Sequence, residues 1–248
     1  MKNATAADAV GYFSENVRAF EELYRSTPGF HERIEVWDKL LARYAVPGGL
    51  AVDLGSGAGT FSFRLAALGH RVVGVDGAPN MTAYCNAERD KRGLKDVQFR
   101  EGRLPRIDET GLAGADLVIS SSVIEYVPEF EETLALMSRL LKDGGTLILS
   151  MPNAHSFSRT YQRTKRAIKD RADVYRYILH YSSPEDLCRH MLPKGLSILE
   201  AHYYTHITRL SRLGRRLGLP SRWTGDLFVA VFRKNTAGGG KVQAALPA

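Results

Sequence analysis

Three glycines at alternate positions, Gly55, Gly57 and Gly59, follow a run of β-formers (Leu50–Leu54) and precede a helix-like stretch from Thr60. Glycine costs conformational entropy, so such a cluster at a strand end marks a tight turn and a ligand that must come close to the backbone. Asp76 closes the next apolar run, RVVGVD, 21 positions after Gly55. An acid at about that spacing can accept from both hydroxyls of a ribose, so the pair predicts an adenosine-like ligand. The loop reads GxGxG followed by Thr60, one position away from the dinucleotide fingerprint GxGxxG, and the phosphate loop GxxxxGK[ST] does not occur. Four histidines, His155, His180, His202 and His206, lie further on and are candidate general bases. His180, in ILHYSSPEDL, is the first choice because it immediately precedes a helix start near Ser183. His202 and His206 have an HxxxH spacing that could hold a metal on a helix, but 196–204 reads as a strand, so no metal is expected.

These residues need a scaffold, and the chain supplies one. Helical spacing of Phe13, Val17, Phe20 and Tyr24 predicts a helix from Val10 to Arg25, and Ile34, Trp37, Leu40 and Leu41 a second, from Glu32 to Tyr44. After VPGG (46–49), strands and helices alternate. Strands are expected at Leu50–Leu54, Arg71–Val75, Val97–Arg100, Asp116–Ser120 and Thr146–Ser150, the last after a KDGG turn. Helices are expected at Thr60–Leu68, Asn80–Arg92 and Glu129–Leu141. Such alternation predicts a doubly wound α/β sheet, whose ligands bind at the carboxyl ends of the strands. Beyond Pro152 the rhythm changes to a basic helical stretch (Ser156–Arg171), a helix from Ser183 to Met191, and strands at Leu196–Tyr204 and Leu227–Arg233.

VDLGSGAGTFSFRLAALGHRVVGVDGAPNM, together with DLVISSSVIEYVPEFEETLALMSRLLKDGGTLILSMPN, resembles the motifs of the class I S-adenosylmethionine-dependent methyltransferases, over roughly residues 10 to 235. The resemblance implies a Rossmann-like, doubly wound seven-stranded sheet, mostly parallel with an antiparallel last strand. It implies N-terminal helices over residues 1–46 as a cover, and a cofactor domain over 47–235. A lid insertion is expected at about 155–192, a second basic segment at about 205–222, and a disordered tail over 236–248. The cofactor would be S-adenosyl-L-methionine, leaving as S-adenosyl-L-homocysteine. By the same resemblance Asp53, Gly55, Ser56, Gly57 and Ser120 border its methionine part. Asp76 holds the ribose, Gly77 and Met81 lie near the adenine, and Tyr24 and Arg33 close from the N-terminal side, Arg33 toward the carboxylate. Two departures stand out. The family's acid after the third strand is replaced by Arg103 in Gly102-Arg103-Leu104, and arginine cannot accept from the adenine amino group, so cofactor binding by these three residues is expected through backbone groups around Arg103 and Leu104, or Arg103 points elsewhere. Tyr126 stands where related enzymes carry a histidine after the glutamate, which leaves His180, Tyr126 and His155 as the catalytic candidates. Serines occupy the strand-four end where metal-dependent relatives carry an acid, so again no metal is expected.

Composition bounds the partners. No apolar run approaches the roughly 20 residues of a membrane span. Two distant cysteines, Cys85 and Cys188, and a polar N-terminus predict a cytoplasmic protein with reduced thiols. The net charge of +7 is concentrated between His155 and Arg222, which hold 14 Lys and Arg against 5 Asp and Glu. Phe157, Tyr161, Thr164 and Ile168, then Ile207, Leu210, Leu213 and Leu217, line one face each of two basic amphipathic stretches. They suit a packed lid, an anionic or amphiphilic small-molecule acceptor, or peripheral membrane contact. Nucleic acid is disfavoured, because the base-methylating Asn/Asp-Pro-Pro-Tyr/Phe motif is absent and neither cysteine follows a proline. The expectation is therefore a small-molecule methyltransferase, O-methylation favoured over N-methylation. An RNA methyltransferase, a catalytically silent S-adenosylmethionine-binding regulator and a dehydrogenase are the alternatives.

Overall fold

The computed structural model describes residues 6–158, 160, 174–204 and 209–236. The first strand, β1 (Leu50–Leu54), is buried at all five positions. Apart from Asp53 it is the apolar run of a parallel strand covered on both faces. With β2 (Arg71–Asp76), β3 (Val97–Glu101), β4 (Ala115–Ser121), β5 (Leu141–Pro152), β6 (Leu196–Tyr204) and β7 (Leu227–Lys234) it forms one seven-stranded sheet in the order β3-β2-β1-β4-β5-β7-β6. Six strands run parallel, and β7 is antiparallel to both β5 and β6. The expected fold class is the one present. Strand order reverses between β1 and β4, which puts the ligand crevice at their carboxyl ends.

Helices cover both faces. On one side lie α3 (Pro28–Tyr44), α4 (Thr60–Ala67) and α5 (Pro79–Lys91), through Trp37, Leu41, Phe61, Leu65 and Cys85. On the other lie α6 (Phe130–Leu140) and α7 (Pro184–Met191), through Leu134, Met137, Leu187 and Met191. Helix α3, which falls within the expected N-terminal cover of residues 1–46, is packed against the cofactor domain. Trp37 is fully buried, stacks on Phe61 at 4.6 Å and donates its indole N–H to the Tyr204 hydroxyl at 3.3 Å, so α3 is part of the domain core.

The expected Val10–Arg25 helix is two helices, α1 (Ala6–Glu15) and α2 (Val17–Ser26). Asn16 breaks it by donating its side-chain amide to the Tyr12 carbonyl at 2.7 Å, while its own N–H turns to Phe13. The KDGG turn is absorbed into β5 as an irregularity, with Ala115 opposite Leu141 but Leu117 opposite Thr146. Two short helices, α8 (Arg209–Arg216) and α9 (Ser221–Thr224), separate β6 from β7. Most of the first basic stretch, with Tyr161, Thr164 and Ile168, and also His206, Ile207 and the tail from 237, lie outside the described residues. Among the described residues no helix is long and apolar enough to cross a membrane.

Candidate functional site

The glycine loop is built by consuming its own amides. Gly55 N–H and Ser56 N–H both donate to the Val75 carbonyl, at 2.7 and 3.1 Å, and Gly59 N–H donates to the Ser56 carbonyl at 2.9 Å. Asp76 completes the weave: one carboxylate oxygen accepts from Gly57 N–H and the other from Ala78 N–H, both at 2.8 Å. The loops after β1 and β2 are thereby tied to one carboxylate. Few amides are left to cradle a diphosphate, which argues against the dehydrogenase alternative. Each Asp76 oxygen keeps a second lone pair for a hydroxyl donor. Gly55 has φ 78°, and a Cβ there would stand 2.2 Å from a Val123 methyl carbon. Gly57 has φ 52° with nothing near its missing Cβ, on the side that opens to the ligand.

Around this loop lies a cavity of about 690 Å³, the size of a small-molecule site. Asp53, Gly55, Ser56, Gly57, Asp76, Gly77, Met81, Gly102, Arg103, Leu104, Arg33 and Tyr126 all line it. Its roof is α1, through Val10, Tyr12 and Phe13, with Phe13 edge-on to Tyr126 at 5.3 Å. Its side is the start of α3, with Phe30 and Arg33. Arg33 is buried and donates from Nη2 to the Ser121 carbonyl and hydroxyl, at 2.9 and 2.5 Å, which fixes its cation at the end of β4.

Three expected residues are placed elsewhere. Ser120 is fully buried and donates its hydroxyl to the Leu54 carbonyl at 2.9 Å, bracing β4 against β1; Ser121 and Ser122 take the wall. His180 is turned away, its Nε2 2.9 Å from the Val127 carbonyl and its ring against Phe130. His155 lies against Trp223, with ring centroids 6.0 Å apart. The side chain of Tyr24 lies outside the described residues. Ser122 and Glu125 are among the wall residues that the sequence did not single out. Ser122 adopts φ 57°, and its buried hydroxyl has no partner among the described residues. Glu125 is 1% exposed in a turn of 3-10 helix after β4. An acid inside the apolar run SVIEYV, just past the switch-point strand, was the available signal.

The electrostatics follow from burial. Complete burial pushes the Asp53 carboxyl up to about 7, the neighbouring Asp76 charge adds to the shift, and the Ser62 hydroxyl, 2.6 Å away, opposes it. Burial also raises Asp76, against the pull of the Ala78 and Gly57 amides. Burial raises the Cys85 thiol as well, so it is not a ready nucleophile. For Asp53 the folded value exceeds the ordinary 3.8, so between about pH 4 and about pH 7 the folded state holds the proton that the unfolded chain releases. Its contribution to stability is full at the acid end of that window and is lost as the pH rises through it. Asp53→Asn should therefore raise the melting temperature of the ligand-free protein by several degrees at about pH 8 and leave it little changed at about pH 4. Thermal melts of both proteins at the two pH values check this, and equal differences at both would contradict it.

The wall suits an adenosyl sulfonium. Asp76 offers two acceptors for a ribose, Met81 and Leu104 offer apolar faces for a flat base, and Arg33 offers a fixed cation for a carboxylate. Comparison with known proteins identifies the family. A methyltransferase-domain family model matches residues 47–209. The ubiquinone biosynthesis O-methyltransferase of Xanthomonas campestris pv. campestris is 30% identical over 176 residues, 71% of this chain, and this chain spans 63% of that protein's length. The crystal structure of magnesium protoporphyrin IX methyltransferase from Synechocystis PCC 6803, with bound S-adenosylhomocysteine, superposes with TM-score 0.63 at 18% identity, over 82% of each chain. The cyclase SpnF superposes with TM-score 0.66 at 16% identity, over 94% of this chain and 97% of its own. The last two establish the fold alone. The family model, matched across the glycine loop, Asp76 and the serine-ended β4, decides the rest: the chain belongs to the methyltransferase-domain family, in its class I, S-adenosylmethionine-dependent form.

Proposed function

We propose that this chain transfers the methyl group of S-adenosylmethionine to a small-molecule acceptor, with an oxygen acceptor favoured over nitrogen. The observation that carries this reading is one cavity, lined mostly by apolar and aromatic residues, into whose wall Asp76 and Arg33 bring an anion and a cation. The O-methyltransferase relative supports the oxygen acceptor. SpnF, a cyclase on the same fold, is the reason the reading rests on the wall residues rather than on the sheet.

The bound cofactor would supply an activated methyl group on a sulfonium. The chain's own residues would align and exclude. Asp76 would accept from the ribose hydroxyls, and Arg33 would hold the amino-acid carboxylate. Phe13 and Tyr126 would close an aromatic surface near the positive sulfur, where ring faces attract cations, and keep water out. Alignment of this kind can supply about 7–11 kcal/mol of a barrier. A phenol, with an ordinary pKa of about 10, also needs somewhere for its proton to go. With His180 and His155 turned away, Glu125 and Tyr126 are the titratable wall groups nearest the end of β4 that this role could use. No metal enters the scheme.

The test is product formation. Methyl-labelled S-adenosylmethionine is offered with a panel of phenols, carboxylates and amines. Acceptor-dependent release of S-adenosylhomocysteine supports the reading. Tight cofactor binding with no turnover across the panel favours the silent regulator, and turnover only with RNA favours the nucleic-acid enzyme. Arg33→Met should raise the cofactor KM by roughly 10- to 100-fold, the worth of one charge-assisted hydrogen bond, with a smaller change in kcat. An unchanged cofactor KM would remove Arg33 from the site.

A further inference from the structure

Helix α8 turns apolar side chains to water. Among its described side chains the inward ones are small: Ser211 is buried against the Asp226 carboxylate, and a Cβ on Gly214 would stand 2.8 Å from a Thr224 side-chain carbon in α9. Leu213 on the helix is 53% exposed, and Leu217 and Leu219, which follow it, are 70% and 45% exposed. A packing helix does the reverse. Arg212 and Arg216 are exposed on the same helix. Beside it Phe157, itself 46% exposed, stacks on Trp223 at 5.5 Å, and the Arg222 guanidinium lies 5.3 Å from the Trp223 ring. Residues 209–225 contain no aspartate or glutamate.

Hydrogen bonds tie the patch to the domain. The buried Asp226 carboxylate accepts from the hydroxyls of Ser156, Ser158 and Ser211, which pins the Phe157 segment to α8. Asn153 donates to the Arg222 and Gly225 carbonyls at 2.8 Å each, holding α9 to the end of β5. Arg215 reaches Glu32 of α3 at 3.2 Å, one residue from the cavity-lining Arg33.

We propose that this surface docks on an anionic lipid bilayer, with the leucines and the Phe157–Trp223 pair in the interfacial layer and Arg212, Arg216 and Arg222 at the depth of the lipid phosphates. Apolar and cationic groups on one exposed face are what such a surface selects. A nucleic acid would pair with the arginines and the aromatic pair but gain nothing from three exposed leucines. A second copy docked face to face would bring arginine against arginine. The inference does not depend on which acceptor the cavity takes, though it would place the cavity wall beside a source of amphiphiles.

The full chain is sedimented with vesicles of phosphatidylcholine alone and of phosphatidylcholine and phosphatidylglycerol in equal parts. The expected result is pelleting with the anionic vesicles only, weakened by salt. Arg212→Gln with Arg216→Gln should reduce partitioning roughly 30-fold, since each basic residue at an anionic surface is worth about a factor of five. Leu213→Ser with Leu217→Ser should reduce it on the order of tenfold or more, with melting temperature and cofactor affinity unchanged because both side chains are exposed. The proposal is overturned if the wild-type chain stays in the supernatant with anionic vesicles at low salt. It is equally overturned if the leucine pair sediments like wild type, or if those leucines instead govern concentration-dependent self-association.

Discussion

Asp76→Ala should weaken cofactor binding on the order of a hundred-fold or more while leaving a folded protein. Two hydrogen bonds from ribose hydroxyls to a carboxylate are each worth about 1.5–3 kcal/mol, so losing both costs about 3–6 kcal/mol. The same carboxylate orders its surroundings through Gly57 N–H and Ala78 N–H, so the truncation also frees the two loops that flank the ligand. Asp76→Asn keeps one acceptor and should fall between wild type and alanine. Titration calorimetry with S-adenosylhomocysteine measures all three, and a thermal melt of each confirms folding. Wild-type affinity in a folded alanine variant would remove Asp76 from the site.

The glycine loop gives the second large effect, and two of its members should behave differently. Gly55→Ala places a methyl group 2.2 Å from a Val123 carbon at φ 78°, so it adds overpacking to left-handed strain. The sum is about 2–5 kcal/mol of lost stability. Gly57→Ala meets no neighbour and should cost only the strain of φ 52°, about 1 kcal/mol. Its methyl group would instead stand where a ligand approaches the backbone, so the variant should melt near wild type yet bind cofactor poorly. Urea unfolding and calorimetry on both variants separate the two costs. Equal losses of stability would contradict the assignment of Gly55 to packing and Gly57 to the ligand.

The parts of this molecule that were legible in sequence are those written locally. β6 begins and ends at the expected residues, Leu196 and Tyr204, because a strand's apolar pattern lies within itself. Gly55, Gly57 and Asp76 were legible because loop and acid sit at a spacing fixed by one strand-helix-strand unit. The errors arise where a partner comes from elsewhere. In a run of three serines, alternation decides which one faces the ligand, and the register on β1 turned Ser120 inward to the Leu54 carbonyl. The His180 ring is claimed by the Val127 carbonyl, 53 positions away in the chain. The break at Asn16 was invisible because Phe13 and Val17 keep helical spacing across it. For α8 the periodicity located an apolar stripe and an arginine stripe, but nothing in a helix's own pattern says on which side the domain will stand.

The roof over the cavity is attached differently from its floor. Val10, Phe13 and Val17 pack on a small cluster of Ala58, Ala78 and Met81, separate from the two large clusters that hold the sheet. Ser14 adds two contacts to Asn80. Free energy of opening is set by the contacts that must be broken, and here they include this satellite cluster, Phe13 against Tyr126 and Tyr12 against Tyr177. None of these contacts belongs to the two clusters that hold the sheet, so lifting α1 from α5, Tyr126 and Tyr177 would open the cavity without unfolding the domain. Ligand residence time would then depend on the side chains around Phe13 and could change by substitution there while the sheet beneath stays as it is.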